Sequence, residues 1–133
     1  PEGDWKQDFC GPTGSNSWGR FVLRITPESA TRASFSQALA QYGNAQCEGT
    51  GTLLPSTSLG TVVFDRAGAT AALTAFWGLW TQPSGLSNRT IWARKGAYFC
   101  LLGDSSPSAL PTPQDVESYV NLSIDAKSCY TKR

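Results

Sequence analysis

Four cysteines, Cys10, Cys47, Cys100 and Cys129, stand far apart in a chain that has no histidine, and this limits the fold more than any other feature. Metal sites draw cysteine in close pairs such as CxxC, or cysteine with histidine, because two ligands from one turn must converge on one ion. Neither arrangement occurs here. The expectation is two structural disulfides formed in an oxidising compartment, with no metal site and no cofactor. Four cysteines allow three pairings. In a meander of sequential strands the neighbours in sequence are neighbours in space, which favours Cys10 with Cys47 and Cys100 with Cys129. Each bridge would close a loop of about thirty to forty residues and contribute roughly 3 to 4 kcal/mol in the chain-entropy model.

The segments between the cysteines read as short strands rich in Val, Ile, Thr and aromatics, cut by Gly, Pro, Ser and Asn. Asp4 to Cys10 sets Trp5 and Phe9 on one face. From Trp18 to Thr26 the residues Phe21, Leu23 and Ile25 alternate with Arg20, Val22 and Arg24, the period-two pattern of a half-buried strand, and Pro27 ends it. Residues 32 to 42 bring Phe35, Leu39 and Tyr42 among polar neighbours. Thr50 to Leu54 and Leu59 to Phe64 follow as strands, and Thr90 to Ala93 and Ala97 to Leu102 flank a tight turn at Lys95-Gly96. Between Ala69 and Trp80 the apolar residues also fit helical spacing, but Gly68, Gly78, Thr70 and Thr74 favour a strand. The segment after Asp104, with Pro107, Pro111 and Pro113, is expected to run irregularly over the surface, with a last strand or short helical turn at Val116 to Ile124. About eight strands result, so the fold class expected is all-β, a single domain over residues 1–133 whose segment 104–133 is Pro-rich and irregular.

A chain of 133 residues is long enough to bury a real core. The formal net charge is +1, and eleven Lys and Arg are scattered along the chain with no stripe that could track phosphates, so nucleic acid is not an expected partner. No apolar run approaches the roughly 18 to 20 residues of a membrane-spanning helix. Pro1-Glu2-Gly3-Asp4 lacks the basic start and apolar centre of a signal peptide, so an exported protein would be met here in its mature form. Asn88-Arg89-Thr90 and Asn121-Leu122-Ser123 match the N-glycosylation sequon.

Gly3-Asp4-Trp5 matches the GxW motif that opens the first strand of lipocalins, and a cysteine ends the same segment at Cys10. Tyr42-Gly43-Asn44-Ala45-Gln46-Cys47, Phe99-Cys100-Leu101-Leu102-Gly103-Asp104, Pro111-Thr112 and Tyr130-Thr131-Lys132 extend the match to both ends of the chain. The sequence thus resembles the small lipocalin-like (calycin) domains of bacterial secreted proteins. The resemblance leaves residues 50 to 90 largely uncovered. It implies an eight-stranded antiparallel up-and-down barrel, lipocalin-like, with Trp5 closing one end and a secreted or periplasmic location, with a lipid anchor in the precursor as a variant. Lipocalins also pack a late-strand Arg on that Trp. Here the candidates are Lys127, Lys132 and Arg133, none at a matching spacing, which counts against a deep pocket. Avidins share the opening G-x-W, and Tyr98-Phe99-Cys100 is similar to a Tyr-x-Cys element of bacterial lysozyme inhibitors.

With no histidine a Ser-His-Asp or Cys-His device is excluded. The carboxylate clusters Glu2, Asp4, Asp8 and Asp115, Glu117 read as solvated faces, and no catalytic residue is assigned. The aromatics carry the functional expectation. Five Trp exceed what a small core needs, and Trp18, Phe35, Phe76, Trp80 and Trp92 are the candidate lining of a cup for a small apolar ligand. The competing expectation is a filled barrel whose loops, Gln82 to Arg89 or Ser105 to Gln114, bind an extracytoplasmic protein or glycan.

Overall fold

The structure, a computed structural model, describes residues 2–102 and 109–133. Ten strands and one helix follow in chain order: β1 (Gly3–Gln7), β2 (Gly11–Gly14), β3 (Ser17–Pro27), β4 (Arg32–Tyr42), β5 (Thr52–Leu53), β6 (Thr57–Ala69), β7 (Leu73–Thr81), β8 (Ser87–Lys95), β9 (Tyr98–Leu102), α1 (Pro113–Asp125) and β10 (Tyr130–Lys132). Eight of the strands close an antiparallel barrel in the order β1-β3-β4-β6-β7-β8-β9-β10, with β10 returning to β1. Neighbours in the sheet are neighbours in sequence almost throughout, so the barrel is up-and-down. Closure leaves the barrel strands without a free edge. β2 and β5 are short additions to the rims of β3 and β4. The segment Thr50 to Leu54, expected as a barrel strand, is therefore a two-residue ladder that takes no part in closure.

The two faces of β3 explain the alternation in its sequence. Leu23 and Ile25 point inward and are buried, while Arg24 pairs outside with Asp4 of β1 at 2.8 Å. Val22 is also buried, because the outer face is covered in turn: Val22, Ala40, Tyr42 and Cys47 form a second cluster with Cys10 and Trp18 packed on it. The Cys10–Cys47 disulfide pins this cover to the barrel. Phe9 does not join Trp5 inside, since β1 ends at Gln7 and the chain turns to present Cys10, leaving Phe9 half exposed.

Ala69 to Trp80 is a hairpin arm and a strand, as Gly68 and the threonines suggested. Thr70 closes the turn, its backbone N–H donating to the Leu73 carbonyl at 2.8 Å and its hydroxyl accepting from the amides of Ala72 and Leu73. The helical spacing arose because β7 is covered on both faces. Leu73, Ala75 and Trp77 lie outside beneath α1, while Phe76 and Trp80 lie inside. A strand buried on both faces loses the period of two.

The expectation of an irregular segment over 104–133 is corrected in its described part. Residues 113–125 form a 13-residue helix. Pro113 stands in its first turn, where a missing N–H costs nothing. Thr112 caps the amide of Asp115 and Asp115 reciprocates at the amide of Thr112, a capping box with Asp in place of Glu. Val116 and Val120, one turn apart, are fully buried against Trp77, Ile91, Ala93 and Cys100. The Cys100–Cys129 disulfide then ties the end of the helical segment to β9, so that β10 can add between β9 and β1. Residues 103–108 lie outside the described residues.

Two predictions follow from the stapling. Cys10 is partly exposed whereas Cys100 and Cys129 are sealed under α1, so titration with a water-soluble phosphine followed by alkylation and peptide mapping should label Cys10 and Cys47 first; earlier labelling of Cys100 would contradict the packing. Thr112→Ala should lower unfolding stability by about 1 kcal/mol in a denaturant titration, and no change would mean the cap is not holding α1.

Candidate functional site

The middle of the barrel is filled by rings. Trp92 of β8 meets Phe99, Phe35 and Phe64 at centroid distances of 5.3, 5.2 and 5.2 Å, each edge to face. Phe99 continues to Trp5 at 5.4 Å, Phe35 to Trp80 at 5.7 Å, and Phe64 to Phe76 at 5.4 Å. Trp5, Phe35, Trp92 and Phe99 are all buried. A deep central calyx is thereby ruled out for this part of the interior.

Space remains at the end of the barrel where the β3–β4, β6–β7 and β8–β9 turns lie. A cleft of about 160 Å³ is framed by Pro27, Ser29, Ala30, Arg32 and Ala33 on one side and by Phe64, Phe76 and Trp92 on the other. Beside it a second cleft of about 290 Å³ shares Ala30, Phe64 and Phe76 and adds Thr31, Asp65, Arg66 and Ala67. Their common wall is local in origin. Gly78, paired with Phe64 across β6 and β7, leaves room for that ring: a Cβ there would come within 2.9 Å of Phe64 Cδ1. A bulge after Phe64 then turns Asp65 to the rim. The β3–β4 turn over the clefts is held in place, with the Glu28 and Ser29 amides donating to the Arg32 carbonyl at 2.8 and 3.1 Å and the Phe64 amide donating to Thr31 at 2.7 Å.

The charges around this mouth are mostly matched. Glu28 binds Arg32 at 2.9 Å. Asp65 receives both guanidinium nitrogens of Arg89 at 2.6 and 2.8 Å, and these hydrogen bonds hold its carboxyl below the usual carboxylate range. Arg66 lies over the outer face of Trp77 at 4.2 Å. On the far side of the mouth, Arg94 and Lys132 both lie over the Trp5 ring, at 4.6 and 4.9 Å. Arg94 Nε, Trp92 Nε1 and Trp5 Nε1 are buried with no hydrogen-bond partner among the described residues. The cation on Trp5 is thus supplied by Lys132 together with Arg94 of β8, and not by Lys127 or Arg133. Its signal was in the sequence: Trp92 and Arg94 alternate on the same face of β8.

Of the five aromatic candidates, Phe76 and Trp92 line the first cleft. Phe35 lies beneath them in the core, and Trp80 packs on Phe35 with its indole N–H spent on the Leu59 carbonyl at 2.6 Å. Trp18 is on the outer surface with the Cys10–Cys47 cover, apart from the other four. Phe64, Ala30 and Ala33 were missed. Phe64 closes a visible alternation with Val62, but the two alanines sit near a turn, where no periodicity points.

Of the carboxylates grouped by sequence, three are individually engaged. Asp4 pairs with Arg24, Asp115 caps α1, and Glu117 pairs with Lys95 at 3.0 Å, which holds its carboxyl low. Among the described residues no three His, Cys, Asp or Glu side chains gather as metal ligands would, and no helix is long and apolar enough to cross a membrane. Of the sequon threonine and serine, Thr90 is buried inside β8. The Cys10–Cys47 and Cys100–Cys129 bridges are compatible with an oxidising, extracytoplasmic location. Compared with models of known protein families, with curated proteins and with solved structures, the chain matches none.

Proposed function

We propose that this chain is a non-catalytic, secreted or periplasmic binding domain of lipocalin-like type that holds a small hydrophobic ligand at the mouth of its barrel. The observation that carries the reading is the pair of adjoining clefts sharing Phe64 and Phe76, the first of them also lined by Trp92. Aromatic walls with few polar groups are what a small apolar ligand needs, and a turn fixed by its own hydrogen bonds gives such a site shape before the ligand arrives. The sequential meander and the cation-capped Trp5 support the lipocalin-like reading. The filled interior moves the site from a central calyx to the rim.

A second reading has its own observation. Leu86, at the tip of the turn between β7 and β8, is 59% exposed, and with the barrel's middle filled it favours a module that docks an envelope protein or glycan through that turn. Of the other loop proposed for this role, Ser105 to Gln114, positions 105–108 lie outside the described residues, and Pro113 and Gln114 open α1.

Titration with indole, followed by amide NMR shifts, separates the two. Saturable shifts confined to Ala30, Ala33, Phe64, Phe76 and Trp92 are expected, and Phe76→Arg should weaken them by roughly tenfold or more. Absence of saturable shifts, or shifts confined to 82–86, would overturn the mouth as the binding site.

A further inference from the structure

The clefts are walled by Phe64 and Phe76, and at the same end of the barrel Arg94 and Lys132, which line neither cleft, are without an ion pair among the described residues. Near this end Asp4, Glu28 and Asp65 are each paired with another arginine, Arg24, Arg32 and Arg89. Arg94 and Lys132 make no ion pair among the described residues, yet both are drawn over one ring; Asp4 feels the charge of Lys132 but spends its hydrogen bonds on Arg24. Lys132 Nζ donates to the Glu2 backbone carbonyl, which carries no full charge. Trp92 and Arg94 are separated by two residues on the inward face of β8, about 7 Å along the strand. Each has a buried nitrogen donor with no partner among the described residues, and buried donors left unmatched are costly unless something supplies an acceptor.

We infer that the ligand of this mouth is an anion: a compact apolar molecule bearing one carboxylate, its body in the cleft between Phe64, Phe76 and Ala33 and its carboxylate on the Arg94 guanidinium, with Lys132 as the second cation. A guanidinium matches a carboxylate with two parallel hydrogen bonds, which a neutral amide cannot reproduce. Placing an anion beside Arg94 and Lys132 also relieves their mutual repulsion. The inference rests on the proposed ligand site and adds the chemical class of what fills it.

Calorimetric titration of the full chain with phenylacetate and with its neutral counterpart phenylacetamide tests this. Phenylacetate should bind roughly tenfold more tightly, with the difference shrinking as salt is raised. Arg94→Gln should bring the two affinities to within a factor of about two, chiefly by weakening phenylacetate. Because Arg94 also stacks on Trp5, Arg94→Lys serves as the control that keeps a cation on the ring, and it should retain most of the preference. Equal affinities in the unaltered chain, or a preference that survives Arg94→Gln, would overturn the anionic ligand while leaving the apolar mouth site standing. Failure of both compounds to bind would overturn both.

Discussion

The packing of Trp92 against Phe35, Phe64 and Phe99 is the contact on which the rest of this molecule depends. Three edge-to-face pairs converge on one indole, and together they join strands β4, β6, β8 and β9 across the barrel. Such pairs contribute about 0.5 to 1.5 kcal/mol each beyond the area they bury. An eight-stranded barrel has an interior only wide enough for side chains or one small ligand. Here rings take the middle, so open space is displaced to the rim, where Phe64 and Phe76 end the stack.

Outside the barrel two further layers are needed, and each is held by one disulfide. On one side Cys10–Cys47 fixes a loop over Val22, Ala40 and Tyr42. On the other, Cys100–Cys129 fixes the segment whose helix covers Trp77, Ile91 and Ala93. Apolar side chains on the outer face of a barrel would otherwise meet water. The cysteine spacing is therefore a record of cover: Cys100 of β9 is joined to the segment after α1, and Cys10 and Cys47 join two connecting segments over the outer face of β3 and β4.

Much of this was legible in the residues, and the failures have physical causes. Phe21, Leu23 and Ile25 against Arg20 and Arg24 declared β3 because that strand has a charged outer rim, and Lys95-Gly96 declared the β8–β9 turn, where Gly96 takes a positive φ. Both disulfide pairings followed from the meander. α1 was only partly legible: a short helical turn at Val116 to Ile124 stood beside a strand as a reading, because three prolines nearby read as loop and Val116 and Val120 supply only a narrow apolar stripe, although Pro113 falls where a helix tolerates it. The candidate site was half legible. Phe76 and Trp92 are on the cleft, but a count of aromatics cannot tell an inward ring from Trp18, which shields a disulfide. Arg94 escaped notice because the resemblance directed attention to the last residues of the chain, whereas the cation over Trp5 comes from both β8 and β10.

The central claim is that rings fill the middle of the barrel, leaving the rim as the open surface. Fluorine NMR of the chain labelled with 5-fluorotryptophan, in the presence of a soluble gadolinium chelate, measures this at each indole. Trp18 and Trp80, which are partly exposed, should relax strongly while Trp5, Trp77 and Trp92 are shielded. Strong relaxation of Trp92 and Trp5 to the level of Trp18 would mean a water-filled interior and would contradict that claim.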